Sequence, residues 1–403
     1  MHSGMRIALC ANRTMNAGEP SDPLADLACE LITRGHEVVA LVPEVVELPA
    51  EIPSKRIAGS NFPRACAEAV AADGRFEIVH AFEGAWQVGA GPAPHVHQCL
   101  GGTLLRRVDL QCRLSTWPTL RRLTDVLRLG QARRLGAERA IATLPSPTHL
   151  VVPSHYVAAQ LRQYYGVGDD RLHVVPEGPD PRRLPEARRG EIRLEHRKRW
   201  SMGDRDTLIA AHLRDARIDG LREVLAAAVE LKAELTRAPG KRSFKLALTG
   251  AGSIGAERAV AAAGLTEQVL VLGSCDPIPI LAAADVVFSA SWDDGAGRWI
   301  TAALAWQTPA VVSRFDGASE LLEDGQNGYV LDTPADTVLA GQRLATLTES
   351  IRRYKFRGNL ADVAQSARAA RYADDMLLVY MRVVRPDWAP MGAQRPAEEG
   401  FEV

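Results

Sequence analysis

The feature that most constrains this chain is a succession of short, nearly continuous apolar runs, each followed by a helix-like stretch. MRIALCA, EVVALVP, FEIVHAF, HVHQCL, THLVVPS and LHVVPEG stand in the first half. DTLIAAHL, FKLALTG, QVLVLGS, DVVFSAS and PAVVSR stand in the second. Strands that are apolar on both faces belong to parallel sheets covered by helices on each side. PLADLACELITRG, SHYVAAQLRQYYG and GLREVLAAAVELKAEL supply amphipathic helices at the right places. The expectation is an α/β chain with two Rossmann-like parallel-sheet domains.

At 403 residues the sequence exceeds one ordinary core and suits two domains of roughly 150 to 200 residues. The Pro-rich, charged stretch PEGPDPRRLPEARRG, residues 176–190, reads as the linker. Boundaries follow at 1–185 for an N-terminal domain and 186–365 for a C-terminal domain. Residues 366–388, which include ARYADDMLLVYMRVV, are expected to form a helix returning to the first domain. Residues 389–403, polar and Pro-rich, are expected to be a disordered tail.

An apolar fraction of 46% and a charged fraction of 24% fit a globular protein, and a formal net charge of −1 argues against a surface built for nucleic acid. No apolar run is long enough to span a bilayer. The opening MHSGMRIALCANR has no signal-peptide pattern, so the expected location is cytoplasmic. Six scattered cysteines without a C-x-x-C pair suit reduced, buried thiols, and no metal site is expected. His95-x-His97 lacks a third ligand and reads as a polar strand end.

Residues 101–140 depart from the α/β order, with nine arginines against Asp109, Asp125 and Glu138. The segment is either a solvated helical face or a basic surface for an anionic acceptor or an acidic membrane, where each side chain adds about 1 kcal/mol. Trp117-Pro118 would suit an interfacial anchor.

Parallel sheets bind ligands beyond the carboxyl ends of their strands, where helix N-termini present free N–H groups to phosphate. Three glycine-marked strand ends could do so: Gly250-Ala251-Gly252, Gly273-Ser274-Cys275 and Gly295-Ala296-Gly297. The first βα turn lacks G-x-G-x-x-G, which argues against a dinucleotide-dependent dehydrogenase.

The series LALTGAG, VLVLGS, ILAAADVVFSAS, DDGAGRWITAALAWQTPAVVS and DGASELLEDGQNGYVL resembles the C-terminal domain of family 4 retaining glycosyltransferases, the group 1 enzymes of GT-B fold. The matching positions are Asp285, Ser291, Gly295, Gly297, Ala303, Ala305, Pro309, Gly317, Glu320, Gly325, Asn327 and Gly328. SHYVAAQLRQYYGV and LHVVPEGPD are similar to the end of the family's N-terminal domain. Gly101-Gly102-Thr103 resembles a turn of the lipopolysaccharide-core glucosyltransferase-like members.

That resemblance implies transfer of a sugar, with retention, from a nucleotide-sugar donor, UDP-sugar foremost, to a cell-surface glycan or lipopolysaccharide-type acceptor. It implies no metal and no other cofactor. Donor contacts are expected at Gly250, Gly252, Gly273, Ser274, Cys275, Gly295, Ala296, Gly297, Arg298 and Trp299, with the N–H groups of Arg298 and Trp299 on the distal phosphate. Asp294 and Arg217 would be the catalytic pair. His97, Gly101, Gly102 and Thr103 would lie on the acceptor side. Peripheral association with an acidic membrane through 101–140 is a further expectation.

The sequence also departs from the family's pattern. Two glutamates eight positions apart become Asp294 and Ala302. The segment R-x-K-G becomes Arg217-Ile218-Asp219-Gly220, so Asp219 replaces a lysine, and Arg214 or Arg298 would have to substitute for it. Glu177 replaces an asparagine in VVPEGPD, and NRTMNAGEP offers only Gly18 for a glycine-rich loop. Loss of a ribose carboxylate removes roughly 1.5 to 3 kcal/mol, about ten- to hundredfold in affinity. With the lysine also gone, the combined loss is on the order of 10⁴ unless it is compensated. Both Asp219 and Ala302 are expected to face the donor. A catalytically impaired GT-B protein serving as a binding or regulatory partner is therefore the alternative reading.

Overall fold

The computed structural model describes residues 4–12, 19–59, 61–86, 88–89, 91–114, 129–143, 148–180, 182, 186–203, 205–238 and 242–386. The expected disordered tail, Trp117-Pro118 and Gly18 lie outside these residues. The chain divides into two compact units, one of residues 1–15, 22–176 and 369–403, the other of 16–21 and 177–368.

The first unit is a seven-stranded sheet in the order β3-β2-β1-β4-β5-β6-β7, with every described pairing parallel. Its strands are β1 (Arg6–Cys10), β2 (Glu37–Pro43), β3 (Ser54–Ile57), β4 (Ile78–Phe82), β5 (Val96–Gln98), β6 (His149–Val152) and β7 (Leu172–Val174). The helices are α1 (Pro23–Thr33), α2 (Phe62–Asp73), α3 (Leu104–Arg113), α4 (Leu129–Ala142) and α5 (His155–Tyr165). β3 reads SKRI and is exposed at its first three residues, so it carries no apolar run and is not visible as a strand in the sequence.

The second unit is a six-stranded parallel sheet in the order β10-β9-β8-β11-β12-β13. Its strands are β8 (Asp206–His212), β9 (Ser243–Thr249), β10 (Val269–Gly273), β11 (Val286–Ser289), β12 (Ala310–Ser313) and β13 (Tyr329–Leu331). Its helices are α6 (Glu186–Arg199), α7 (Leu221–Arg237), α8 (Glu257–Ala262), α9 (Pro277–Ala283), α10 (Arg298–Ala305), α11 (Thr337–Leu347), α12 (Ser350–Asn359) and α13 (Ala361–Ser366). The last residues of the expected linker, 186–190, are the first turn of α6. The strand order reverses between β8 and β11, and that switch point opens the crevice in which such sheets hold ligands.

The final helix, α14 (Ala369–Val384), packs on the first unit. Tyr372, Ala373, Met376, Val379 and Tyr380 join the core of β1, β2, β4 and α1. Its two buried tyrosines are held by hydrogen bonds: the Tyr372 hydroxyl donates to Gln98 Oε1 at 2.7 Å, and the Tyr380 hydroxyl pairs with His80 Nδ1 at 2.7 Å. Apolar packing on both faces of each sheet supplies the core.

Candidate donor-binding site

The loop after β8 and the loop after β11 meet at the switch point. Trp292 N–H donates to Ile218 O at 2.7 Å, and the Ser291 hydroxyl donates to Asp219 Oδ1 at 3.2 Å. Asp219 is the hub of the first loop. Its carboxylate accepts the backbone N–H groups of Arg214 (2.7 Å) and Asp215 (2.9 Å) and the Arg214 guanidinium (3.1 Å). Burial would raise the Asp219 pKa, but Arg214 and the backbone donors hold it below the usual carboxylate value. Asp219 is only 5% exposed, so it faces the loop's own backbone rather than a ligand.

The arginine that meets Asp294 is not the expected one. Arg217 is exposed, and its backbone N–H is tied to Asp215. Arg214 instead places Nη2 3.0 Å from Asp294 Oδ2. Desolvation would lower its pKa, and the charges of Asp219 and Asp294 together outweigh that and raise it.

The Gly295-Ala296-Gly297 turn is built by its neighbours. Asp294 Oδ1 accepts the Gly297 N–H at 3.1 Å, and the Asp294 backbone bridges to Asp316 and Gly317. Gly297 has φ +58 and caps α10. A Cβ there would collide with Asp316 Oδ1 and would lie 2.5 Å from Ala318 N, so only glycine fits. Asp316 is 1% exposed and accepts the Ala318 N–H at 3.0 Å. Its burial, then the Asp294 charge, pushes its pKa well above the usual carboxylate range.

Gly250 and Gly252 close the same end of the sheet. Gly252 N–H donates to Leu213 O at 2.7 Å, and a Cβ on it would stand 2.7 Å from Ala216 N. Gly273 ends β10, Ser274 is exposed, and Cys275 is half-buried with its thiol pKa raised by burial and Asp276. His212 stacks on Trp299 with ring centroids 5.1 Å apart.

The Arg298 guanidinium, expected as one possible substitute for the missing lysine, and Ala302, expected to face the donor, are placed otherwise. Arg298 starts α10, but its guanidinium is buried against Glu177, with Nε 2.5 Å from Oε2 and Nη2 3.1 Å from Oε1. Glu177, which departs from the family's pattern, thus meets Arg298. Ala302 does not face a ligand: it has no exposure and packs in the core of β8, β11 and α10. The RWITAALA helix is buried along its whole length, so no side of it is left for the position eight residues after Asp294.

On the first unit, Thr103 caps α3, and both its N–H and its hydroxyl donate to Gln160 Oε1 at 2.7 and 3.0 Å. Gly101 and Gly102 are half-buried beside it. His97 lies inside β5 at 2% exposure, with its pKa lowered to about 4 by burial, and presents no ring to solvent. Of the arginine-rich segment, Arg107, Arg113, Arg134 and Arg139 are exposed, Arg113 pairs with Asp109, and Arg106 is buried.

Asp285 shows what the sequence motif conceals. It is matched in the family's pattern, yet its carboxylate serves the fold, accepting Arg193, Arg197 and the Leu208 N–H. Among the described residues no group of three or more His, Cys, Asp or Glu could hold a metal ion, and no helix is long and apolar enough to cross a membrane.

The chain matches the family of glycosyl transferases group 1 over residues 204–370 and Glycosyltransferase Family 4 over residues 24–183. A D-inositol 3-phosphate glycosyltransferase from Nocardia farcinica is 27% identical over 209 residues, which are 50% of this chain and 44% of that protein, so the match spans less than half of the relative's length. The fold is similar to that of WaaG, a glycosyltransferase involved in lipopolysaccharide biosynthesis, with TM-score 0.67, 17% identity, and 94% and 98% of the two chains covered. Anabaena HepE, solved in complex with UDP-glucose, gives TM-score 0.64 and 16% identity over 93% and 98% of the chains. With both parallel-sheet units accounted for, the chain belongs to the group 1, family 4 glycosyltransferases, and its fold is GT-B.

Proposed function

We propose that the protein transfers a hexosyl group from a nucleotide-sugar, UDP-sugar first, to a cell-surface glycan or lipopolysaccharide-type acceptor, with retention at the anomeric carbon. The observation that carries this reading is the Gly297 turn, held open at the N-terminus of α10 by Asp294 and Asp316. It offers backbone N–H groups to a phosphate without asking for any particular side chain. The backbone of Gly250, Gly252 and Gly273, with Ser274 and Cys275, would line the base and diphosphate. Asp294 would orient the sugar hydroxyls, and Arg214, which pairs with it, would meet the diphosphate in place of Arg217. No metal is required, because the helix N-terminus and Arg214 supply the stabilising charge. The exposed arginines of 101–140 would meet an anionic acceptor or an acidic membrane surface at the cytoplasmic face.

Calorimetric titration with UDP-, GDP- and ADP-sugars, followed by a hydrolysis assay with any binder, tests this reading. A binder whose affinity drops about tenfold or more on Asp294→Ala is expected. No binding at millimolar donor would overturn the enzyme reading. The second reading, an impaired GT-B protein acting as a binding or regulatory partner, draws on the pairing of Arg298 with Glu177, which commits a cation of the phosphate turn elsewhere. Donor binding without hydrolysis or transfer to any acceptor would favour it.

A further inference from the structure

The charges around the β8 and β11 loops are spent on one another. Arg214 uses one nitrogen for both Asp219 (3.1 Å) and Asp294 (3.0 Å), and Arg298 gives two nitrogens to Glu177. Two guanidinium groups therefore meet three carboxylates before any ligand arrives. Asp219 contributes most to this imbalance, because it stands where the family's pattern has a cation. We propose that Asp219 sets the phosphate affinity of this site: by saturating Arg214 it weakens the hold on a diphosphate, and a nucleotide-sugar is selected chiefly by its sugar end.

The inference rests on the donor-site reading above and adds the source of its selectivity. A phosphate approaching Arg214 must compete with two carboxylates already within 3.1 Å of the same nitrogen. Like charge at that range opposes it strongly in a partly buried site. Asp219 cannot swing away cheaply, since it also holds the N–H groups of Arg214 and Asp215 and receives the Ser291 hydroxyl. The loop conformation that presents Arg214 is therefore tied to the charge that mutes it. Asp294 has the opposite relation to a sugar donor, because its carboxylate can accept sugar hydroxyls while it neutralises the arginine.

The test is titration of the full chain with UDP and with the best-binding UDP-sugar, in the parent and in Asp219→Asn, Asp219→Lys and Ser291→Ala. Asparagine keeps an oxygen for the two backbone N–H groups and loses the charge. Asp219→Asn and Asp219→Lys are expected to tighten UDP binding by about tenfold or more, to steepen its salt dependence, and to narrow the preference for UDP-sugar over UDP. Ser291→Ala removes a hydrogen bond to Asp219 but no charge, and should leave UDP affinity unchanged. If the Asp219 variants do not fold, as judged by circular dichroism, Asp294→Asn removes the other carboxylate from Arg214 and must also tighten UDP binding. UDP affinity within twofold of the parent in every folded charge variant overturns the inference while leaving the donor reading standing. A gain in Ser291→Ala equal to that in Asp219→Asn overturns it as well, since charge would not be the cause. Absence of binding by UDP and all UDP-sugars in parent and variants overturns both.

Discussion

Gly297 is the residue on which the candidate site turns, because three independent constraints meet there. Its φ of +58 disfavours a side chain, Asp316 and Ala318 occupy the space a Cβ would need, and its N–H is fixed by Asp294. The left-handed conformation alone costs an L-residue roughly 1–2 kcal/mol, and the steric clash adds to that. Gly297→Ala is thus expected to lower stability by about 2 kcal/mol or more and to abolish donor binding, because the turn must open to relieve the contact. Chemical denaturation paired with calorimetry checks both parts. A folded variant with unchanged donor affinity would show that the turn is not a phosphate cradle.

At the scale of elements, the same variant logic separates residues that hold the sheet from residues that meet a ligand. Asp285 opens β11 and accepts Arg193 and Arg197 from α6 together with the Leu208 N–H of β8, so one carboxylate ties a helix to two strands. Removing it leaves two guanidinium groups without their carboxylate, a mechanism that typically costs about 3–5 kcal/mol in buried settings and less here because Arg193 is one-third exposed. Asp285→Ala should therefore lower the melting temperature of the second unit by several degrees. Donor affinity measured well below that temperature should not change. A loss of affinity without a loss of stability would return Asp285 to the site.

The comparison of Asp285 with Arg214 also shows how far the sequence could be read. Apolar runs placed the strands and glycine turns marked their carboxyl ends, because both follow from local chemistry. β3 leaves no such mark, since an edge strand with three exposed residues has no apolar run to reveal it. Spacing alone could not tell that Arg214 turns inward while Arg217 turns out, because the choice depends on Asp219 folding the loop back on its own backbone. The Glu177 and Arg298 pairing spans 121 positions and appears only when the chain is folded. The packing of Ala302 in the core was equally hidden, as helical position gives a direction but not what fills the space there.

For the whole molecule, buried histidines weight the acid sensitivity toward the first unit, while the second unit has His212, whose pKa burial also lowers. His80, His97 and His173 are all buried in the first unit, and burial lowers their pKa values to about 3, 4 and 4. The ordinary value is 6.5, so below it the unfolded chain binds protons that the folded chain refuses. Stability from these rings is complete above about pH 6.5 and falls as pH drops toward 4, by up to about 1.4 kcal/mol per pH unit for each ring. In the second unit, Asp316 has the opposite sign: its raised pKa gives stability at low pH that is lost as pH rises through that value. His212 and Asp219 of the second unit, both lowered, act against Asp316, but the three strongly lowered rings of the first unit outnumber them, so acid should melt the first unit before the second. Thermal denaturation followed by differential scanning calorimetry between pH 7.5 and 4.5 should resolve an early transition that moves down with pH, and His97→Gln should flatten its acid slope because glutamine cannot take up the proton. Two transitions that keep a fixed separation across this range, or an acid slope unchanged in His97→Gln, would show that the buried rings do not control the first unit's stability.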